Sequence, residues 1–111
     1  MDMPLSIRPD NFGPEILDEK KMVLLGCFHR GPEFVEQKEV LEGVAKTFNG
    51  ELKVCLLNVD SFDALREEFE VEGTPTFLIF AAGKEKGRIL GKTDKTTLID
   101  FVRGTIIDFK T

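Results

Sequence analysis

Tryptophan and tyrosine are absent from this chain, so its ten phenylalanines are its whole aromatic content and none brings a hydrogen-bond donor with it. Aromatics of that kind suit a core or a greasy groove. Cysteine is scarce: Cys27 and Cys55 are too few for the disulfide framework of a small secreted scaffold, and they read as buried or reactive thiols, not a bridge. Positive charge is short as well. Fifteen Lys and Arg stand against 20 Asp and Glu, a formal charge of −5, so a phosphate backbone is repelled on average and no nucleic-acid partner is expected. Nothing approaches the ~18 consecutive apolar residues of a membrane helix, and Met1-Asp2-Met3-Pro4 has neither the basic nor the apolar region of a signal peptide. The sequence thus predicts no membrane partner and a cytoplasmic address.

What is present is a chain of 111 residues, 41% of them hydrophobic, which is enough for one sizeable core and too little for two. Without repeats, low-complexity tracts or a Pro/Gly linker, residues 1–111 are expected to form a single domain. Strands and helices alternate along it. Leu5 to Arg8 suits a short edge strand, Phe12 to Glu19 a weak helix, and Met22 to Phe28 a buried strand. From Pro32 the period becomes helical, with Phe34, Leu41, Val44 and Phe48 on one face and Asn49-Gly50 as the stop. Leu52 to Val59 is a nearly continuous apolar run, as in a strand covered on both faces. Asp60 is expected to open a helix carrying Phe62, Leu65 and Phe69. After Gly73-Thr74-Pro75 come a strand over Thr76 to Phe80, a turn at Gly83, a return strand over Gly87 to Leu90, and a helix from about Thr96 to Ile106. This order predicts an α/β fold, a central mixed sheet of four to five strands flanked by helices on both faces.

From Phe12 to the end, that order resembles the thioredoxin family, and from Glu19 to Val102 the two lie together without a gap. Met22–Phe28 takes the strand before the active site, Leu52–Asp60 the central strand, and Gly73-Thr74-Pro75-Thr76-Phe77 the loop with a cis-proline. Phe80, Gly83 and Gly91 take the hairpin landmarks. In this register the family's W-C-G-P-C-K falls on Arg30-Gly31-Pro32-Glu33-Phe34-Val35, and a shift of one residue would put Arg30 and Glu33 at the cysteine positions instead. Neither register supplies a sulfur. The family's exchange needs a thiolate at a helix N-terminus and a second thiol to resolve the mixed disulfide. The resemblance also places Leu25 where the family buries an Asp beneath the dithiol and Leu56 where many members carry a Lys near it. Two leucines there remove a buried-charge penalty.

The resemblance therefore implies a redox-inactive, chaperone-like module that holds an extended segment of another protein. Its expected groove is formed by Arg30, Gly31, Pro32, Glu33, Phe34, Thr74, Pro75 and Gly91, with backbone pairing beside Pro75. Glu33, in the first helical turn, suits the positive end of the dipole. Arg30 is either a rim contact or simply solvated, and Phe34 shares a helical phase with Leu41 and Phe48 that favours inward packing. The alternative is a monothiol oxidoreductase or thiol sensor of redox homeostasis, with Cys27 as nucleophile and His29 as its base. Cys27 equally suits a small packed hydrophobe. Cys27 and His29 are too few to hold a metal, and no cofactor is expected.

Overall fold

In the computed structural model, residues 4–110 are described, with side chains through Ile107; Met1, Asp2 and Met3, which open the segment read as lacking a leader, and Thr111 lie outside the described residues. The strands are β1 (Leu5–Ser6), β2 (Met22–Phe28), β3 (Leu52–Asn58), β4 (Thr76–Ala81) and β5 (Lys84–Leu90), and the helices are α1 (Pro32–Phe48), α2 (Asp63–Glu68) and α3 (Lys95–Lys110). The sheet runs β1-β3-β2-β4-β5. Its first three strands are parallel; β4 joins β2 antiparallel, and β5 closes the edge by a hairpin. The apolar runs become the central strands: all seven residues of β2 are buried, because both faces of that strand are covered.

Side-chain alternation splits the core into two layers. Met22, Leu24 and Phe28 of β2 face Leu41, Val44 and Phe48 of α1 and Leu98 and Val102 of α3. Val23, Leu25 and Cys27 face the other way, toward Ile16, Leu65 and Phe69. The ends of α1 follow local rules. Pro32 occupies its first turn, and Asn49 ends it in the left-handed conformation, donating its N–H to the Ala45 carbonyl. Asp94 caps α3 by accepting the Thr97 N–H at 2.7 Å. That bond holds the Asp94 carboxyl below the usual range.

Three expectations need correction. The first strand pairs only at Leu5–Ser6, because Ile7 still donates to the Leu56 carbonyl but Arg8 turns away, its N–H taken by the Asn11 side chain. The segment read as a weak helix over 12–19 is a single π-helical turn, Gly13–Leu17, closed by the Asp18 N–H on the Gly13 carbonyl. Asp60 does not open α2, whose first residue is Asp63. Its carboxylate is engaged elsewhere, as described next.

Candidate functional site

Residues 30–35, which the sequence register sets against the family's W-C-G-P-C-K, lie where β2 hands over to α1. Gly31, the residue before α1, has φ 137° and ψ −170°, a region essentially reserved for glycine. Its carbonyl accepts the Phe34 N–H at 3.0 Å. Phe34 is half-buried and packs inward: its ring meets Phe28 edge-on with centroids 5.9 Å apart, and Phe28 meets Phe77 likewise at 5.6 Å. Gly26 gives Phe28 its place. A Cβ at Gly26 would stand 2.6 Å from Leu41 Cδ1 and 2.7 Å from Phe28 Cζ, so the ring lies over a position with no side chain.

Above this stack, Asp60 clasps the loop. Its carboxylate accepts the Arg30 backbone N–H at 2.9 Å and pairs with His29 Nδ1 at 2.5 Å, while its own N–H goes to Asn58 Oδ1. The Arg30 N–H first, and His29 second, hold the Asp60 carboxyl below its ordinary value. His29 is thus turned toward Asp60. Arg30, Gly31 and Pro32 are exposed and Glu33 is half-buried.

Both thiols are free and buried. Desolvation pushes Cys27 up to about 12 and Cys55 up to about 12, which withholds the thiolate that nucleophilic chemistry requires. Leu25 and Leu56 do not form one pocket. Leu25 pairs with Cys55 in the parallel ladder while Leu56 pairs with Gly26, so Leu25 lies in the Cys27 layer and Leu56 in the Phe28 layer. Leu25 is therefore on the face opposite Phe34, not beneath it.

The Pro75 side differs. The Thr74–Pro75 peptide bond is cis, the Pro75 ring is buried, and the Pro75 carbonyl accepts the Gly91 N–H at 2.9 Å. Among the described residues no hydrogen bond takes the N–H or the carbonyl of Thr74. A groove of about 440 Å³ opens here, lined by Thr74, Pro75 and Gly91 together with Glu70, Glu72 and Leu90. Residues 30–34 do not line it, although their helix is joined to the start of β4 through the Phe28 ring. Two devices hold the chain around it. Arg88 donates to the Phe69 and Glu70 carbonyls at 3.0 and 3.1 Å and to both Glu85 oxygens. Gln37, fully buried on α1, exchanges two hydrogen bonds of 3.2 Å with the backbone of Thr93, beyond Gly91. Gln37 shares the helical phase of Leu41, Val44 and Phe48 on the buried face of α1, which is the signal that was available for it; Asp60 and Arg88 had none beyond their charge.

A model of the thioredoxin family matches residues 4–104. The chain belongs to the thioredoxin family. Relatives include the thioredoxin of Pseudomonas aeruginosa, 34% identical over 60% of this chain and 62% of its own length, and a chloroplastic M-type thioredoxin of Triticum aestivum, 33% identical over 62% of this chain and 37% of its own length. The matched segments thus span less than two thirds of these relatives. A mutant thioredoxin from Halobacterium salinarum superposes with a TM-score of 0.82 at 23% identity, over 94% of this chain and 91% of that one, which fixes the thioredoxin fold. The chain's two cysteines, Cys27 and Cys55, both lie in strands, and residues 30–35 contain none. No cluster of three or more His, Cys, Asp or Glu side chains suited to a metal occurs among the described residues, nor does any helix there that is long and apolar enough to cross a membrane.

Proposed function

We propose that this chain is a redox-inactive, cytoplasmic thioredoxin-like module that holds an extended segment of a partner protein beside Thr74 and Pro75. The observation that carries this is the groove with the unengaged Thr74 N–H and carbonyl. A partner strand takes up that donor and acceptor as it would those of a sheet edge, each bond contributing about 0.5–1.5 kcal/mol. Leu90, 73% exposed beside them, offers apolar contact. Disulfide exchange has no nucleophile here: the start of α1 carries no thiol, and both sulfurs lie desolvated in the opposite layer.

The test is a titration of isotope-labelled protein with reduced, carboxymethylated lactalbumin, which stays unfolded. The amides of Thr74, Thr76, Leu90 and Gly91 should shift, and Leu90→Ser should weaken the binding while changing stability by less than about 0.5 kcal/mol. Insulin should be reduced no faster than by dithiothreitol alone. Shifts confined to other surfaces, or reductase turnover, would overturn the proposal.

A further inference from the structure

Resting on that reading, the structure assigns the groove an occupant of definite chemistry: we infer that the bound segment carries a Lys or Arg next to an apolar residue. Glu70 and Glu72 line the groove, and among the described residues neither carboxylate makes an ion pair or a hydrogen bond. A second hollow of about 590 Å³ along α2 shares both residues and adds Asp63 and Glu67. The two guanidinium groups in these walls are already engaged, Arg88 by Glu85 and two carbonyls and Arg66 by the Val71 carbonyl. Arg88 is matched by Glu85 and also feels Glu70, and Arg66, whose carbonyl partner is neutral, offsets one charge more; four carboxylates around the open space therefore leave it net negative, on a chain whose formal charge is −5.

Spacing links this field to the pairing site. Glu72 precedes Thr74 by two residues, and two residues of extended chain cover about 7 Å. A strand paired on Thr74 therefore brings a side chain one or two places along to Glu72, while a neighbour of opposite parity lies against Leu90. A cation is attracted there and an acidic side chain is repelled. The groove is open to water, so the preference should be about five- to tenfold at low salt and should fade once the screening length falls to a few ångströms.

Three fluorescein-labelled heptapeptides test this, alternating Val with Lys, with Gln or with Glu, and read by anisotropy with amide shifts to locate the site. The Lys peptide should bind about five- to tenfold tighter than the Gln peptide at ~10 mM salt and lose that advantage near 1 M, and the Glu peptide should bind weakest. Glu70→Gln combined with Glu72→Gln should abolish the preference and leave the Gln peptide unaffected. Equal binding of the Lys and Gln peptides at the groove amides would overturn the basic preference and leave the proposed function standing, whereas failure of every peptide to shift those amides would remove both. A preference that survives the double substitution, or concentration-dependent shifts of the groove amides without peptide, which would give the groove to a second copy, would also overturn it.

Discussion

Phe28 separates two regions of unlike character. On its α1 side, Phe34 leans on its ring, Gly26 makes room beneath it and Asp60 ties the loop down by the Arg30 N–H. On its β4 side, past Phe77, the chain leaves an N–H and a carbonyl unengaged at Thr74 beside an exposed leucine and two unpaired carboxylates. On the first side hydrocarbon closes the space; on the second, polar groups stay in water. A hydrophobic filling suits the first region because an idle buried carboxylate or thiolate is penalised by desolvation. Solvated groups carry no such penalty, so the second region can keep them.

The closed side is the easier to break. Cys27 and Cys55 should react with a maleimide in the native protein at least about a hundredfold more slowly than a free cysteine, and at full rate in denaturant; rapid native labelling of Cys27 would return the monothiol alternative. Phe28→Ala should cost about 3–5 kcal/mol in a urea melt, and a loss under about 1 kcal/mol would show that the ring seals nothing. Gln37→Leu sharpens the comparison from the open side. It leaves the Thr93 N–H and carbonyl without their partner, should cost about 1–3 kcal/mol, and should speed hydrogen exchange at Thr93; unchanged exchange would show that the chain after Gly91 does not lean on α1.

The smallest effect is expected at Asp60→Asn. Because the folded protein lowers the Asp60 pKa, its contribution is complete above the ordinary carboxylate range and is lost as pH falls through the folded value. Wild type should therefore exceed the variant slightly at neutral pH, with the gap closing as the pH falls below the ordinary carboxylate range. Melts at several pH values check this, and a gap that persists in acid would assign the effect to geometry rather than charge.

Much of the scaffold was legible. The continuous apolar runs gave β2 and β3, the helical phase of Leu41, Val44 and Phe48 gave the buried face of α1, and the same phase carried Phe34 inward. Local polar contacts were not legible. The Asn11 side chain ends β1 early, and the Asp60 carboxylate reaches back to residues far away in sequence, so α2 begins later than its first Asp suggests. Register was hidden too. Leu25 and Leu56 face opposite layers because Leu25 stands across from Cys55, and a strand's own sequence does not reveal which residue of its neighbour lies opposite. At the site, Thr74, Pro75 and Gly91 do share a groove, but its acidic wall comes from the chain just before Thr74, where the run over 67–70 reads simply as the outer face of a helix.

Gly31 leaves no easy place for a thiol at the start of α1. At φ 137° and ψ −170° a side chain of any kind is strained by about 1–3 kcal/mol, even though nothing stands within 4 Å of where its Cβ would be. A cysteine introduced there meets the backbone before it meets a substrate. Phe34→Cys meanwhile opens a gap against Phe28. A cysteine placed at either position thus weakens the fold unless the loop is rebuilt first, so the geometry of this segment resists a thiol pair: installing one needs a coordinated change of chain path, not single substitutions.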